Sequence, residues 1–137
     1  MLRMLTPFVF LAACASGGSG PSAPTPAVNE EFTLAPGQTA TVNDAKISLT
    51  FERVTDDSRC PTDVTCIWEG DAVVVVKVKT ETDEETRELH TQGGESRSKK
   101  APAGPFTITL VKLEPAPRST APIEPSAYRA TLVVGRE

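Results

Sequence analysis

The residue pattern of this 137-residue chain specifies an all-β sandwich built from short strands. Three observations carry that expectation. Apolar and polar residues alternate with a period of two in run after run, and no segment sustains the 3.6-residue apolar period of a helix. The core-type residues are Val, Ile and Leu, with aromatics at 5%, and β-branched side chains favour strands. Twelve prolines and nine glycines punctuate the chain, which leaves room for short segments separated by many turns.

The folded part is expected over residues 29–137, as one domain. Phe32–Leu34 reads as a first strand, ended by Pro36 and Gly37. Residues 38–42 follow, then a turn at Asn43 and Asp44. The run 46–55 sets Ile47, Leu49 and Phe51 on one face with polar residues between, the pattern of a half-buried strand. Residues 71–80 open with Ala72 and four valines, apolar on both faces, which assigns their first half to the centre of the core. The acidic stretch 81–85 reads as a charged turn, with 86–91 pairing back from it. Gly93, Gly94 and the basic 97–100 stretch read as a solvated loop. Phe106, Ile108 and Leu110 alternate with Thr107, Thr109 and Val111 in the strand 106–113. After a proline-rich loop at 114–127, residues 128–134 form the last strand. About seven short strands in a domain of this length give an immunoglobulin-like β-sandwich, with a small β-barrel as the runner-up.

The first residues differ from the rest. Arg3 is the only charge in residues 1–13, and an apolar stretch over 4–13 follows it. That stretch is about half of the roughly 20 apolar residues that a membrane span needs. A basic start, a short apolar core and small residues before a boundary describe a secretory signal peptide. The boundary Leu11-Ala12-Ala13-Cys14 resembles the lipobox of bacterial lipoproteins. That resemblance implies a signal peptide over 1–13, diacylglycerol on the Cys14 thiol, cleavage before it, and anchoring of the protein to the cell envelope. The residue after the cysteine is Ala15, not the aspartate associated with inner-membrane retention. By resemblance to that sorting rule, an outer membrane is favoured over an inner one, with the domain facing the periplasm. Residues 15–28 hold no charge; Gly and Ser make the first half flexible and three prolines stiffen the second. With Cys14 they read as a tether over 14–28, spanning roughly 45–50 Å when fully extended.

Two cysteines remain once Cys14 is lipidated. Cys60 and Cys66 lie in DDSRCPTDVTCIWEG, the most distinctive stretch of the chain. In an oxidising compartment a disulfide is the default, closing a small ring that Pro61 stiffens. The alternative is a metal or redox site with His90, the single histidine, as third ligand. The spacing C-x₅-C is not the C-x-x-C of zinc ribbons or thioredoxin-like enzymes. Asp56, Asp57 and Arg59 are expected to pair with one another or with turn amides and so fix the loop, while Trp68 caps the core below or covers the disulfide. On the functional reading, Asp57, Arg59 and Trp68 belong to a preorganised recognition loop on a rigid scaffold.

The segment Asp57-Ser58-Arg59-Cys60-Pro61, followed by Cys66-Ile67-Trp68-Glu69-Gly70, resembles a motif of uncharacterised secreted bacterial domains and small lipoproteins. The similarity runs from about Phe32 to the last strand and takes in residues 113–115 and Tyr128. It implies secretion and a β-fold, and no reaction.

Composition also narrows function. With 14 Lys+Arg against 18 Asp+Glu the formal charge is −4, which argues against nucleic acid, whose binding needs a basic surface. No Gly-x-Ser-x-Gly elbow, His-Glu-x-x-His helix, dinucleotide fingerprint or phosphate loop occurs. No catalytic residue and no cofactor is therefore assigned, and the expectation is a non-enzyme. Two classes remain. One is a binding or envelope-structural module whose partners are the bilayer, through acylated Cys14, and an envelope protein or polymer. The other is a periplasmic metal- or small-ligand-binding domain using Asp56, Asp57 and Asp63, or Glu81, Asp83, Glu84 and Glu85. Neither acidic group matches an EF-hand loop.

Overall fold

A computed structural model of the chain describes residues 23–94 and 97–136. Cys14, the signal segment and the first part of the tether lie outside the described residues.

Among the described residues, eight strands form two antiparallel four-stranded sheets: β1 Phe32–Leu34, β2 Thr39–Val42, β3 Ile47–Thr55, β4 Val73–Lys79, β5 Glu84–His90, β6 Lys100–Ala103, β7 Phe106–Glu114 and β8 Arg129–Gly135. One sheet has the order β1-β8-β7-β6 and the other β2-β3-β4-β5. The expected sandwich is present and the sheets do not close into a barrel. The second sheet is a plain meander, unlike the interleaved order of antibody domains.

The extra strand is β6. Its sequence, Lys100-Ala101-Pro102-Ala103, alternates only weakly and contains a proline, so it reads as loop. It pairs with β7 nonetheless, placing Ala101 and Ala103 in the core. Proline is tolerated there because β6 is an edge strand. The 81–85 turn is shorter than expected, since Glu84 and Glu85 already pair with Lys79 and Val78.

The core lies between the sheets and is drawn from alternate positions, among them Leu34, Leu49, Phe51, Val74, Val76, Leu89, Ile108 and Leu132. Two bulges change that phase. In β3 the register shifts between Phe51 and Arg53, and in β7 between Leu110 and Lys112. Each extra residue moves the inward face by one position. Thus Val54 packs toward the core after Phe51, and Leu113 is buried after Leu110, while Val111 turns out to solvent.

The packed region begins before Asn29. The Pro24 carbonyl accepts from Thr41 N–H at 3.1 Å, Pro26 is buried, Val28 packs against the core and Asn29 N–H donates to the Val134 carbonyl at 2.8 Å. Residues 24–28, which composition assigns to the tether, therefore lie along the sandwich and partly cover the β2 edge.

Candidate functional site

The loop joining β3 to β4 holds the cysteine motif, and its neck shows why it stays upright. β3 ends where Asp56 takes a left-handed conformation, φ 51°, which Asp tolerates better than most residues. Beyond it the two arms stay paired: Ser58 N–H donates to the Asp71 carbonyl at 2.7 Å, and Cys60 N–H to the Glu69 carbonyl at 2.8 Å. The Ser58 hydroxyl donates to the same Asp71 carbonyl at 2.9 Å and accepts from Asp71 N–H at 3.2 Å. Gly70 makes this approach feasible. Its φ is +69°, and a Cβ there would lie 1.8 Å from the Ser58 carbonyl oxygen. Above the neck, Cys60 and Cys66 form a disulfide.

Three sets of bonds tie the loop to the rest of the domain. In the first, the Arg59 guanidinium grips both Asp57 carboxylate oxygens, Nε to Oδ1 and Nη2 to Oδ2, each at 2.8 Å. Its remaining donors reach the Leu113 carbonyl at 2.9 Å and the Pro115 carbonyl at 3.0 Å. The Tyr128 hydroxyl donates to Asp57 Oδ2 at 2.7 Å. This clamp joins a loop of the β2-β3-β4-β5 sheet to the end of β7 and the start of β8 in the other sheet. Arg59 and Asp57 side chains are only 13% and 15% exposed, so a fork-to-fork pair is favoured over a lysine contact. Burial alone would raise the Asp57 carboxyl, but the bonds from Arg59 and Tyr128 outweigh it and hold it below the usual carboxylate range. Burial, reinforced by the hydrogen bond to Asp57, pushes the Tyr128 phenol up to about 12.

In the second set, buried Asp71 accepts from Thr91 Oγ1 and Gln92 N–H, both at 3.0 Å, and His90 Nδ1 lies 2.5 Å from its Oδ2. Burial opposes ionisation here too, yet these partners keep the Asp71 carboxyl low. In the third, Asp63 accepts from Ser119 N–H at 2.9 Å and from its hydroxyl at 2.5 Å, and Thr62 N–H donates to the Pro117 carbonyl at 3.0 Å.

The outer end of the loop is apolar and uncovered. Ile67 is 92% exposed and Trp68 81%, and Val64 is also open. Trp68 therefore does not cap the core, which corrects the expectation from sequence. The paired neck carries Trp68 out of the sandwich, and Tyr128 and Leu113 lie among the core residues below the clamp. Beside Trp68 is an open cleft of about 500 Å³, bounded by Glu69, Gly70, Gln92, Gly93 and Arg97.

The structure thus brings Asp57 and Arg59 together, joins Cys60 to Cys66, and sets Trp68 apart from both. His90 belongs to Asp71 and not to the cysteines. The acidic residues do not gather: Asp57 and Asp63 are engaged separately, Glu81 pairs with Lys46 at 3.2 Å, Glu84 with Lys77 at 3.4 Å, and Glu85 with Arg87. Among the described residues no group of three or more His, Cys, Asp or Glu is placed to hold a metal ion. Sequence reading missed the Ser58–Asp71–His90 anchoring and the cleft residues Gln92 and Arg97, which carry no motif.

The chain was also compared with known proteins. No family model, curated protein or solved structure matches it.

Proposed function

We propose that this protein is an exported lipoprotein, held on the cell envelope by lipid at Cys14, whose sandwich is a non-enzymatic binding module acting through the disulfide loop. The observation that carries the binding reading is the pair Ile67 and Trp68, exposed at the end of a loop that is braced at three places. Large apolar side chains left in water cost solubility unless something covers them, and an aromatic anchor on a rigid support is how binding energy is concentrated. Bracing matters because a loop already ordered loses little entropy when a partner docks. The anchoring half rests on the lipobox resemblance, and an acylated Cys14 supplies a lasting hold only with more than one chain.

The two halves are tested separately. Cys14→Ser is expected to move the protein from the membrane to the soluble fraction; a variant still in membranes after a high-salt wash would remove the anchoring half. Sucrose-gradient fractionation of the wild type separates outer from inner membrane, and the outer is expected. For binding, the chain from residue 15 onward contains every described residue. It should be retained by isolated envelope of its own cells, and Trp68→Ser should abolish retention without lowering the melting temperature. Equal retention of both proteins would contradict a binding role for the loop.

A further inference from the structure

We infer that the cleft beside Trp68 is a subsite for a neutral sugar ring of an envelope glycan, an assignment that rests on the binding reading above and names its partner. A pyranose has a flat C–H face and a rim of hydroxyls that both donate and accept hydrogen bonds. The cleft offers the matching pair. The exposed indole of Trp68 is a flat apolar platform, and aromatic rings contribute through both area and the negative face of their π-system. Around it, Gln92 brings a carboxamide with donors and acceptor, Glu69 an acceptor and Arg97 a fork of donors. Gly70 and Gly93 add no side chain to the floor. The volume of about 500 Å³ lies within the range of small-molecule sites, which pair an apolar wall with a few polar groups.

Charge and position argue against other occupants. Among the described residues, one carboxylate and one guanidinium bound the cleft, which offers neither a polyanion nor a polycation a run of opposite charge. A purely apolar segment of a protein would strip water from Glu69, Gln92 and Arg97 and give nothing back, which is costly for each group. A bilayer fits poorly as well. Pro24, where the tether meets the fold, bonds Thr41, whose partner Ser48 is near the start of β3. The Trp68 loop leaves from the other end of β3, at Thr55, roughly 20–24 Å away at the rise of a strand. The described chain therefore enters near one end of β3, and the Trp68 cleft lies beyond the other.

Trp68 is the single tryptophan of the chain, so its emission reports on the cleft alone. The test titrates the chain from residue 15 onward with soluble tetramers of N-acetylglucosamine and of glucose, following Trp68 emission and, in parallel, heat by calorimetry. At least one tetramer is expected to change the emission saturably. Calorimetry should show binding weakened at least about tenfold by Trp68→Ala and by Gln92→Ala, with melting temperatures unchanged. No saturable change with either tetramer, or binding indifferent to both substitutions, would overturn the assignment. An emission change produced only by phospholipid vesicles would overturn it in favour of a membrane surface. If the tetramers fail while envelope retention still requires Trp68, the sugar assignment falls and the binding module stands. If retention is itself independent of Trp68, both fall.

Discussion

Replacing Gly70 by alanine sets a Cβ 1.8 Å from the Ser58 carbonyl oxygen, with Arg59 Cα 3.0 Å away. Both obstacles are backbone, and the positive φ penalises any L side chain as well. The neck would have to open, breaking the Ser58–Asp71 and Cys60–Glu69 bonds. We expect Gly70→Ala to cost more than about 3 kcal/mol in denaturant unfolding, whereas Gly93→Ala, with open space around it, should cost less than about 1 kcal/mol. The clamp has a signature in pH. Asp57 is held below its ordinary value, so its contribution is complete above the unfolded carboxyl value and is lost as pH falls through the folded one. Tyr128 is pushed the other way, to about 12; its contribution is complete below the ordinary phenol value near 10 and is lost as pH rises toward 12. Stability measured against pH should therefore fall at both extremes. Tyr128→Phe should flatten the alkaline limb and cost about 1.5–3 kcal/mol at neutral pH, the range for a hydrogen bond to a charged group. An unchanged alkaline limb would place the Tyr128 hydroxyl elsewhere.

The disulfide belongs to the loop and not to the core, and the two make separable contributions. It closes a ring of seven residues, for which chain entropy gives about 2.4 kcal/mol. Cys60→Ala with Cys66→Ala should lower stability by roughly 2–3 kcal/mol, while the clamp and the Asp71 network keep the neck in place. Free thiols at Cys60 and Cys66 in the protein isolated from its own cells would contradict the bond. The elements also show where sequence was legible. Seven strands are legible in the sequence, β4 by its run of valines and others by alternation, and the three-residue steps from Phe51 to Val54 and from Leu110 to Leu113 mark the bulges in hindsight. β6 did not, because its proline and neighbouring charges imitate a loop, and only pairing with β7 decides the matter. Trp68 misled for a related reason. A lone tryptophan beside cysteines reads as core on composition, and its exposure follows from a neck geometry that depends on Gly70 and on partners more than ten residues away. Asp57 and Arg59 of the cysteine motif meet the Leu113 and Pro115 carbonyls and the Tyr128 hydroxyl in a clamp between the two sheets.

Taken as one object, the sandwich has two ends that differ in structure. Every free sheet edge is protected, as soluble β-proteins require: β1 has only three residues, β2 is flanked by the Pro24 segment, β5 is largely charged and β6 carries Pro102. The pole where the tether arrives is closed by residues 24–28, so a fragment starting at residue 29 should be less stable than one starting at residue 23. The expected difference is about 1–3 kcal/mol, from the buried Pro26, the packed Val28 and the lost Thr41 bond. Equal stability would return those residues to the tether. The opposite pole holds the braced loop, and the account depends on that loop presenting its tryptophan to solvent. Acrylamide quenching of Trp68 emission in the native domain, compared with the same protein unfolded in urea, tests this most directly. An exposed indole predicts native emission close to that of the unfolded chain and nearly equal quenching. Blue-shifted native emission that resists acrylamide would mean that Trp68 is packed inside the domain, and would contradict the account.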